Sequence, residues 1–181
     1  IADYIIVVVR GGDRGLTLFL VKKENKGITC TPFDTLSGER LWEVAFDGAK
    51  VSKRELIRNH VPIEAILNIL DKMKIMVCAE MIGTAQVALE MAIDYSKQRI
   101  SWDRPIGTFQ ILQHKMVDMT IAIEGARQLV YYAAWMNDEG IPCAKESAAA
   151  QLYTGRVCSW LILEAMHMYG AISLVKDHNL T

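Results

Sequence analysis

The chain has 181 residues, of which 51% are apolar, enough for one good core or two small ones and too apolar for disorder. Its formal net charge is −1, which excludes the basic footprint of a nucleic-acid binder and a polybasic membrane anchor. No uninterrupted run reaches the roughly 18 apolar residues of a membrane span, so none is expected.

The opening Ile5-Ile6-Val7-Val8-Val9 is a β-branched run and not the basic, then apolar, opening of a signal peptide. Gly11-Gly12-Asp13-Arg14-Gly15 is a turn cluster, and Leu16 to Val21 is a second strand. A turn at Asn25-Lys26-Gly27 leads to a third strand, Ile28 to Thr31, and a fourth covers Leu41 to Phe46. From about Val61 the period becomes helical, with Pro62 suited to a first helical position. One stripe runs through Cys78, Met81, Ala85, Ala88, Ala92 and Tyr95. After the break at Pro105-Ile106-Gly107, a second runs through Leu112, Met116, Met119, Ile123, Ala126, Val130 and Ala133. Gly140-Ile141-Pro142 breaks the pattern again, and a third helix is expected from near Cys143 to about Tyr169. Its Ala148-Ala149-Ala150 and Gly155 are small enough for close helix contacts.

The expected fold is α+β: a partial antiparallel β-domain over 1–57, then a long-helix up-down bundle over 58–181. Three helices leave apolar surface open, and Tyr131, Tyr132, Trp135 and Trp160 add to it, so self-association is expected. Ile1 opens inside a strand-like run and Thr181 follows no helix stop, so a piece of a longer chain is expected. The four cysteines, Cys30, Cys78, Cys143 and Cys158, show no CxxC pair or Cys/His ligand spacing. They read as reduced thiols of a cytoplasmic protein, or of the mitochondrial matrix in a eukaryote, with no metal.

The most informative stretch is Tyr95-Ser96-Lys97-Gln98-Arg99-Ile100-Ser101-Trp102-Asp103-Arg104-Pro105-Ile106-Gly107-Thr108-Phe109-Gln110. It resembles the acyl-CoA dehydrogenase pattern Y-x-x-x-R-x-x-F-G-x-P-I-x-x-F-Q at the same spacing, with His114-Lys115-Met116-Val117-Asp118-Met119 as the usual continuation. The front half agrees in order: Ala2-Asp3-Tyr4, Thr17-Leu18-Phe19-Leu20-Val21, Gly27, Val44-Ala45-Phe46-Asp47 and Val51 are similar to that family's middle β-domain.

The resemblance implies flavin adenine dinucleotide (FAD) held between subunits of a dimer or tetramer, an acyl-CoA substrate and an electron-transferring flavoprotein as acceptor. It assigns Arg99, Ser101, Trp102, Phe109 and Gln110 to the cofactor, with Trp102 in place of Phe and Asp103 in place of Gly. A guanidinium can give two parallel hydrogen bonds to phosphate oxygens, and Gln110 can donate and accept. The plain alternatives are a solvated arginine at a helix end and an exposed polar residue at a helix start. Ala165-Met166-His167-Met168-Tyr169-Gly170 stands where the family has A-x-Q-x-x-G, which brings in His167 and Gly170; Ala171, Ser173 and Leu174 depart from the pattern that follows. A histidine satisfied in the core is the alternative for His167. Asp71 and Lys74 match the D-x-x-R that holds acyl-CoA, with Lys for Arg; an ordinary i, i+3 charge pair is the other reading.

The reaction implied is α,β-dehydrogenation with a glutamate base. Where some members carry that base on the first long helix, this chain has Met73, and neither Glu80 nor Glu90 matches, so no catalytic residue is assigned. The 181 residues alone are expected to be inactive. The alternatives are a non-catalytic subunit partnering an active homologue, favoured by the departures at Asp103, His167, Ala171 and Ser173, and a helical interaction module with a small β-cap.

Overall fold

A computed structural model describes residues 2–10, 15–35, 40–175 and 180. The turn cluster at Gly11-Gly12-Asp13-Arg14 lies outside them. The described chain carries antiparallel sheets followed by three long helices, an α+β arrangement. It divides into two compact units, Ile1–Ile66 and Leu67–Thr181.

In the first unit, β1 (Tyr4–Arg10) pairs antiparallel with β2 (Leu16–Lys22), from Tyr4 opposite Lys22 to Arg10 opposite Leu16. The strands β3 (Ile28–Phe33) and β4 (Leu41–Phe46) form a second antiparallel pair. The turn between β2 and β3 demands glycine. Gly27 sits at φ +96, and a Cβ there would lie 2.5 Å from the Asp47 carbonyl oxygen. The sequence reading missed β5 (Leu56–Val61), which pairs with β2 at the sheet edge. Its register shifts twice and His60 takes φ 53, so the polar Arg58-Asn59-His60 run shows no alternation.

The second unit is a helical bundle. Its helices are α1 (Ile63–Gln98), α2 (Gln110–Asp138) and α3 (Ala144–Tyr169), with Leu67 marking the unit's start within α1. Along α1 eight buried residues, Asp71, Ile75, Cys78, Ile82, Ala85, Leu89, Ala92 and Ser96, alternate spacings of four and three, the repeat of a coiled-coil seam, with buried Ala88 beside them. On α2 the buried face is Met119, Ile123, Ala126, Val130, Ala133 and Met136. The predicted stripes thus fall on the core, with Met81, Tyr95, Leu112 and Met116 at its half-buried margin. On α3 only Ala150 of the alanine triplet is buried, whereas Ala148 and Ala149 face solvent. Only one position in three or four of a helix can face the core.

Hydrogen bonds set the directions. Ser147 reaches Asp71, Cys158 reaches the Met81 carbonyl and Tyr169 reaches the Met91 carbonyl, so α3 runs parallel to α1. Arg127 reaches Gln86 and Lys115 reaches Glu164, so α2 runs antiparallel to both. After α2, Gly140 turns left-handed at φ 70 and Ile141 N–H returns to the Met136 carbonyl at 2.8 Å.

Two helical stretches, Ile63–Gln98 and Ala144–Leu174, each hold 18 consecutive residues apolar enough to cross a membrane by length and composition, with mean hydropathy of 1.4 and 1.3 over those 18, a third of them buried. This corrects the expectation that none would qualify. Isolated polar residues interrupt an apolar run without lowering its average below that of a span.

Candidate functional site at one end of the bundle

The chain leaves α1 in a tight, anchored hairpin. Arg99 N–H donates to the Tyr95 carbonyl at 2.8 Å, and Ile106 N–H donates to the Arg99 carbonyl at 2.9 Å. Between them β6 (Ile100–Ser101) pairs with β7 (Arg104–Pro105) across a two-residue turn. The turn residues Trp102 and Asp103 have φ of 53 and 59, the left-handed pair that closes such a hairpin. Asp is among the residues that tolerate this region, and Trp is not. The indole is 87% exposed, so no packing inside this chain offsets its strain.

Gly107 locks the hairpin to the bundle. A Cβ there would fall 2.9 Å from Ser96 Oγ and 3.1 Å from the Ser96 carbonyl oxygen, and Ser96 is buried. Gln113 Nε2 donates to the Gly107 carbonyl at 3.0 Å. Phe109 stands at the start of α2, half-buried, with the Arg104 guanidinium 4.2 Å from its ring centroid. Gln110 opens α2 and is exposed. Arg99 is exposed and makes no ion pair among the described residues. Ser101 is half-buried on β6.

His167 and Gly170 lie at the same end, because α3 runs parallel to α1. His167 is exposed and not a core histidine. With Leu163, Met166, Gly170, Ser173 and Leu174 it lines a cavity of about 300 Å³. Gly170 closes α3 at φ 66, its N–H reaching the carbonyls of His167 and Met166. Ser173 is buried and its hydroxyl donates toward the Met166 and Gly170 carbonyls.

Asp71 and Lys74 are elsewhere. Asp71 is buried and accepts from Lys74 Nζ and Ser147 Oγ, both at 2.9 Å. The Lys74 hydrogen bond chiefly holds this carboxyl below its usual range; burial opposes it, and the Ser147 hydroxyl reinforces it. Asp71 lines a polar cavity of about 180 Å³ with Asn68, Lys72, Asn137 and the Gly140–Cys143 turn. It is 28 positions before Arg99, which directly follows the last residue of the continuous helix α1, about 42 Å at 1.5 Å per residue. Five of the predicted cofactor residues therefore share one continuous segment, two more sit at the same bundle end, and the predicted substrate pair is at the opposite end.

Two contacts went unread in the sequence, the Arg104–Phe109 stack and a stack of Tyr95 on Tyr169 at 4.1 Å. The tyrosine pair joins residues whose proximity only the tertiary fold creates; the i, i+5 spacing of Arg104 and Phe109 has no meaning outside the local turn between them. Met73, Glu80 and Glu90 are exposed, and Glu90 accepts from Gln86 Nε2 at 2.8 Å. No group of metal ligands occurs among the described residues.

An exposed arginine and an exposed indole at the anchored hairpin, and an exposed glutamine at the start of α2, thus share one continuous segment. The family model "Acyl-CoA dehydrogenase, C-terminal domain" matches residues 63–181, and the chain belongs to the acyl-CoA dehydrogenase family. It is 33% identical over 175 residues to the acyl-CoA dehydrogenase of Bacillus subtilis, a match covering 92% of this chain and 45% of that protein. Butyryl-CoA dehydrogenase from Megasphaera elsdenii superposes with a TM-score of 0.84 at 27% identity, covering 98% of this chain and 48% of the other. A structure described as the electron transferring flavoprotein of Acidaminococcus fermentans superposes with a TM-score of 0.88 at 29% identity, covering 99% and 49%. The chain spans about half the length of the relatives it matches.

Proposed function

We propose that the whole protein is an FAD-dependent dehydrogenase that oxidises an acyl-CoA thioester between its α and β carbons. The observation that carries this reading is the Arg99–Gln110 segment: an exposed guanidinium with no ion pair among the described residues and a projecting indole at a hairpin, followed by the α2 start, with Gly107 fixed against Ser96. These residues fit a dinucleotide. Arg99 suits the pyrophosphate, Trp102 an aromatic ring, Gln110 a polar edge, and Ser101 and Phe109 the intervening wall. His167 and Gly170 supply a second contact from the same bundle end. Asp103 holds the left-handed backbone at φ 59 that the glycine usual there adopts freely, which is compatible with this reading.

Bound FAD supplies a hydride acceptor. The chain's own residues bind and orient; none is assigned as the base. Asp71 and Lys74 lie about 42 and about 38 Å from Arg99 along α1, at the far end of the bundle from the cofactor residues. That separation fits a pair that serves a different copy of the site, in a homo-oligomer with sites shared between protomers. The relatives' names favour an acyl-CoA substrate, and the A. fermentans match favours an electron-transferring flavoprotein as acceptor.

The test is the full-length protein, purified and assayed for bound flavin and for acyl-CoA-dependent reduction of an artificial electron acceptor. A yellow protein that turns over supports the reading, and the 181-residue piece alone should not turn over. A colourless protein that takes up no FAD would refute it. The second reading, a non-catalytic subunit, draws on His167 and Ser173: one is exposed where a glutamine is usual, and the other is turned inward to cap α3. Co-purification with a homologous active chain, without turnover of its own, would favour it.

A further inference from the structure

We infer that Tyr95 and Tyr169 are positioning residues that hold the two parts of the FAD-binding end in one geometry; this rests on the reading proposed above. Their rings stack at a centroid distance of 4.1 Å with an interplanar angle of 16°. The Tyr169 hydroxyl donates to the Met91 carbonyl at 3.0 Å, one helical turn below Tyr95 on α1. Tyr169 is therefore fixed to α1 at two points, its ring and its hydroxyl.

What each tyrosine controls follows from its neighbours. The Tyr95 carbonyl accepts the Arg99 N–H at 2.8 Å, so Tyr95 sits one turn before the hairpin and holds its first residue. Tyr169 is the last residue of α3, two positions after His167 and immediately before Gly170, whose φ of 66 turns the chain out of the helix. The stack is thus a short mechanical link between Arg99 on one side and His167–Gly170 on the other. Neither tyrosine needs to touch the ligand. A helix end reached only through α3's own backbone is free to fray, and fraying displaces the last turn first. Tying that turn to α1 presents His167 and Arg99 to the ligand together, which lowers the ordering cost of binding.

The experiment uses full-length protein stripped of flavin. FAD affinity is measured by flavin fluorescence at a temperature well below unfolding, and thermal midpoints are recorded in parallel. Tyr169→Leu removes the stack, and its loss of about 0.5–1.5 kcal/mol corresponds to roughly 2- to 12-fold weaker FAD binding. Tyr169→Phe keeps the stack and removes only the hydroxyl, so its affinity should stay within about twofold of wild type. Tyr95→Leu breaks the stack from the other side, and the double variant should be little worse than either single one. Ile123→Val, in the bundle core, controls for general destabilisation: it should lower the thermal midpoint without changing FAD affinity.

Tyr169→Leu and Tyr95→Leu both binding FAD like wild type would overturn the inference. So would Ile123→Val weakening FAD as much as they do. Should Tyr169→Leu not fold, Tyr95→Leu and Tyr169→Phe carry the same comparison. A wild-type protein that takes up no FAD removes the functional reading itself, and this inference with it.

Discussion

The Ser147 hydroxyl donates to the Asp71 carboxylate at 2.9 Å, joining α3 to α1 across 76 positions of sequence. Two buried polar side chains thereby satisfy each other inside an apolar seam, and Lys74 neutralises the charge from the rim.

Removing one partner leaves the other unpaired. Ser147→Ala should cost about 1 kcal/mol, since Lys74 still holds Asp71, while Asp71→Ala should cost about 1–3 kcal/mol. Asp71 is held below its ordinary value of 3.8 in the folded protein. A depressed carboxyl contributes stability that is fully present above its unfolded value and is lost as pH falls through its folded value. Wild type should therefore lose stability relative to Asp71→Asn as pH drops below about 4. Urea unfolding from pH 7 to pH 3 measures the difference; parallel curves would contradict it.

Gly107 has no room for a side chain. Gly107→Ala forces the hairpin off Ser96, at a cost of about 1–3 kcal/mol, and should also weaken FAD binding because Arg99 and Gln110 flank the displaced segment. Denaturant midpoints and flavin titration report the two effects. An Ala variant as stable as wild type would show that the contact at 2.9 Å yields freely.

Trp102 should separate binding from stability. Its backbone is left-handed and its indole is 87% exposed. Trp102→Gly relieves about 1 kcal/mol of backbone strain while losing little packing within this chain. Thermal stability of the flavin-free protein should hold or rise as FAD affinity falls. A parallel loss of both would assign Trp102 to the fold and not to the ligand.

Arg99→Lys tests the guanidinium itself. The charge stays and the two-pronged hydrogen bond goes, so FAD affinity should fall about tenfold with an unchanged thermal midpoint, because the side chain is exposed and makes no ion pair among the described residues. Equal affinity would remove Arg99 from the phosphate site.

The thiols should divide by burial. Cys78, Cys143 and Cys158 are buried, and burial pushes all three thiols up; Cys30 is half-buried. Brief alkylation at pH 8 followed by peptide mapping should label Cys30 first and the other three only on unfolding. Early labelling of Cys78 or Cys158 would mean that the α1–α3 seam opens in the native state.

The helices were legible in the sequence because each carries its own signal. The apolar stripes, the breaks at Pro105-Ile106-Gly107 and Gly140-Ile141-Pro142, and the small residues of the seam are local facts of spacing. The Arg99-to-Gln110 segment was legible for the same reason, since its residues are neighbours along the chain. Strand β5 was not, because an edge strand with a shifted register and a left-handed His60 satisfies its backbone against β2 without alternating its side chains. Nor could the sequence place Ala148 and Ala149 in solvent and His167 on the outer surface, bury Asp71 against Ser147, or stack Tyr95 on Tyr169. Periodicity states that a helix has an inner face. Which neighbour covers that face, and in which register, depends on side chains more than 70 positions apart, and only the packed bundle decides it.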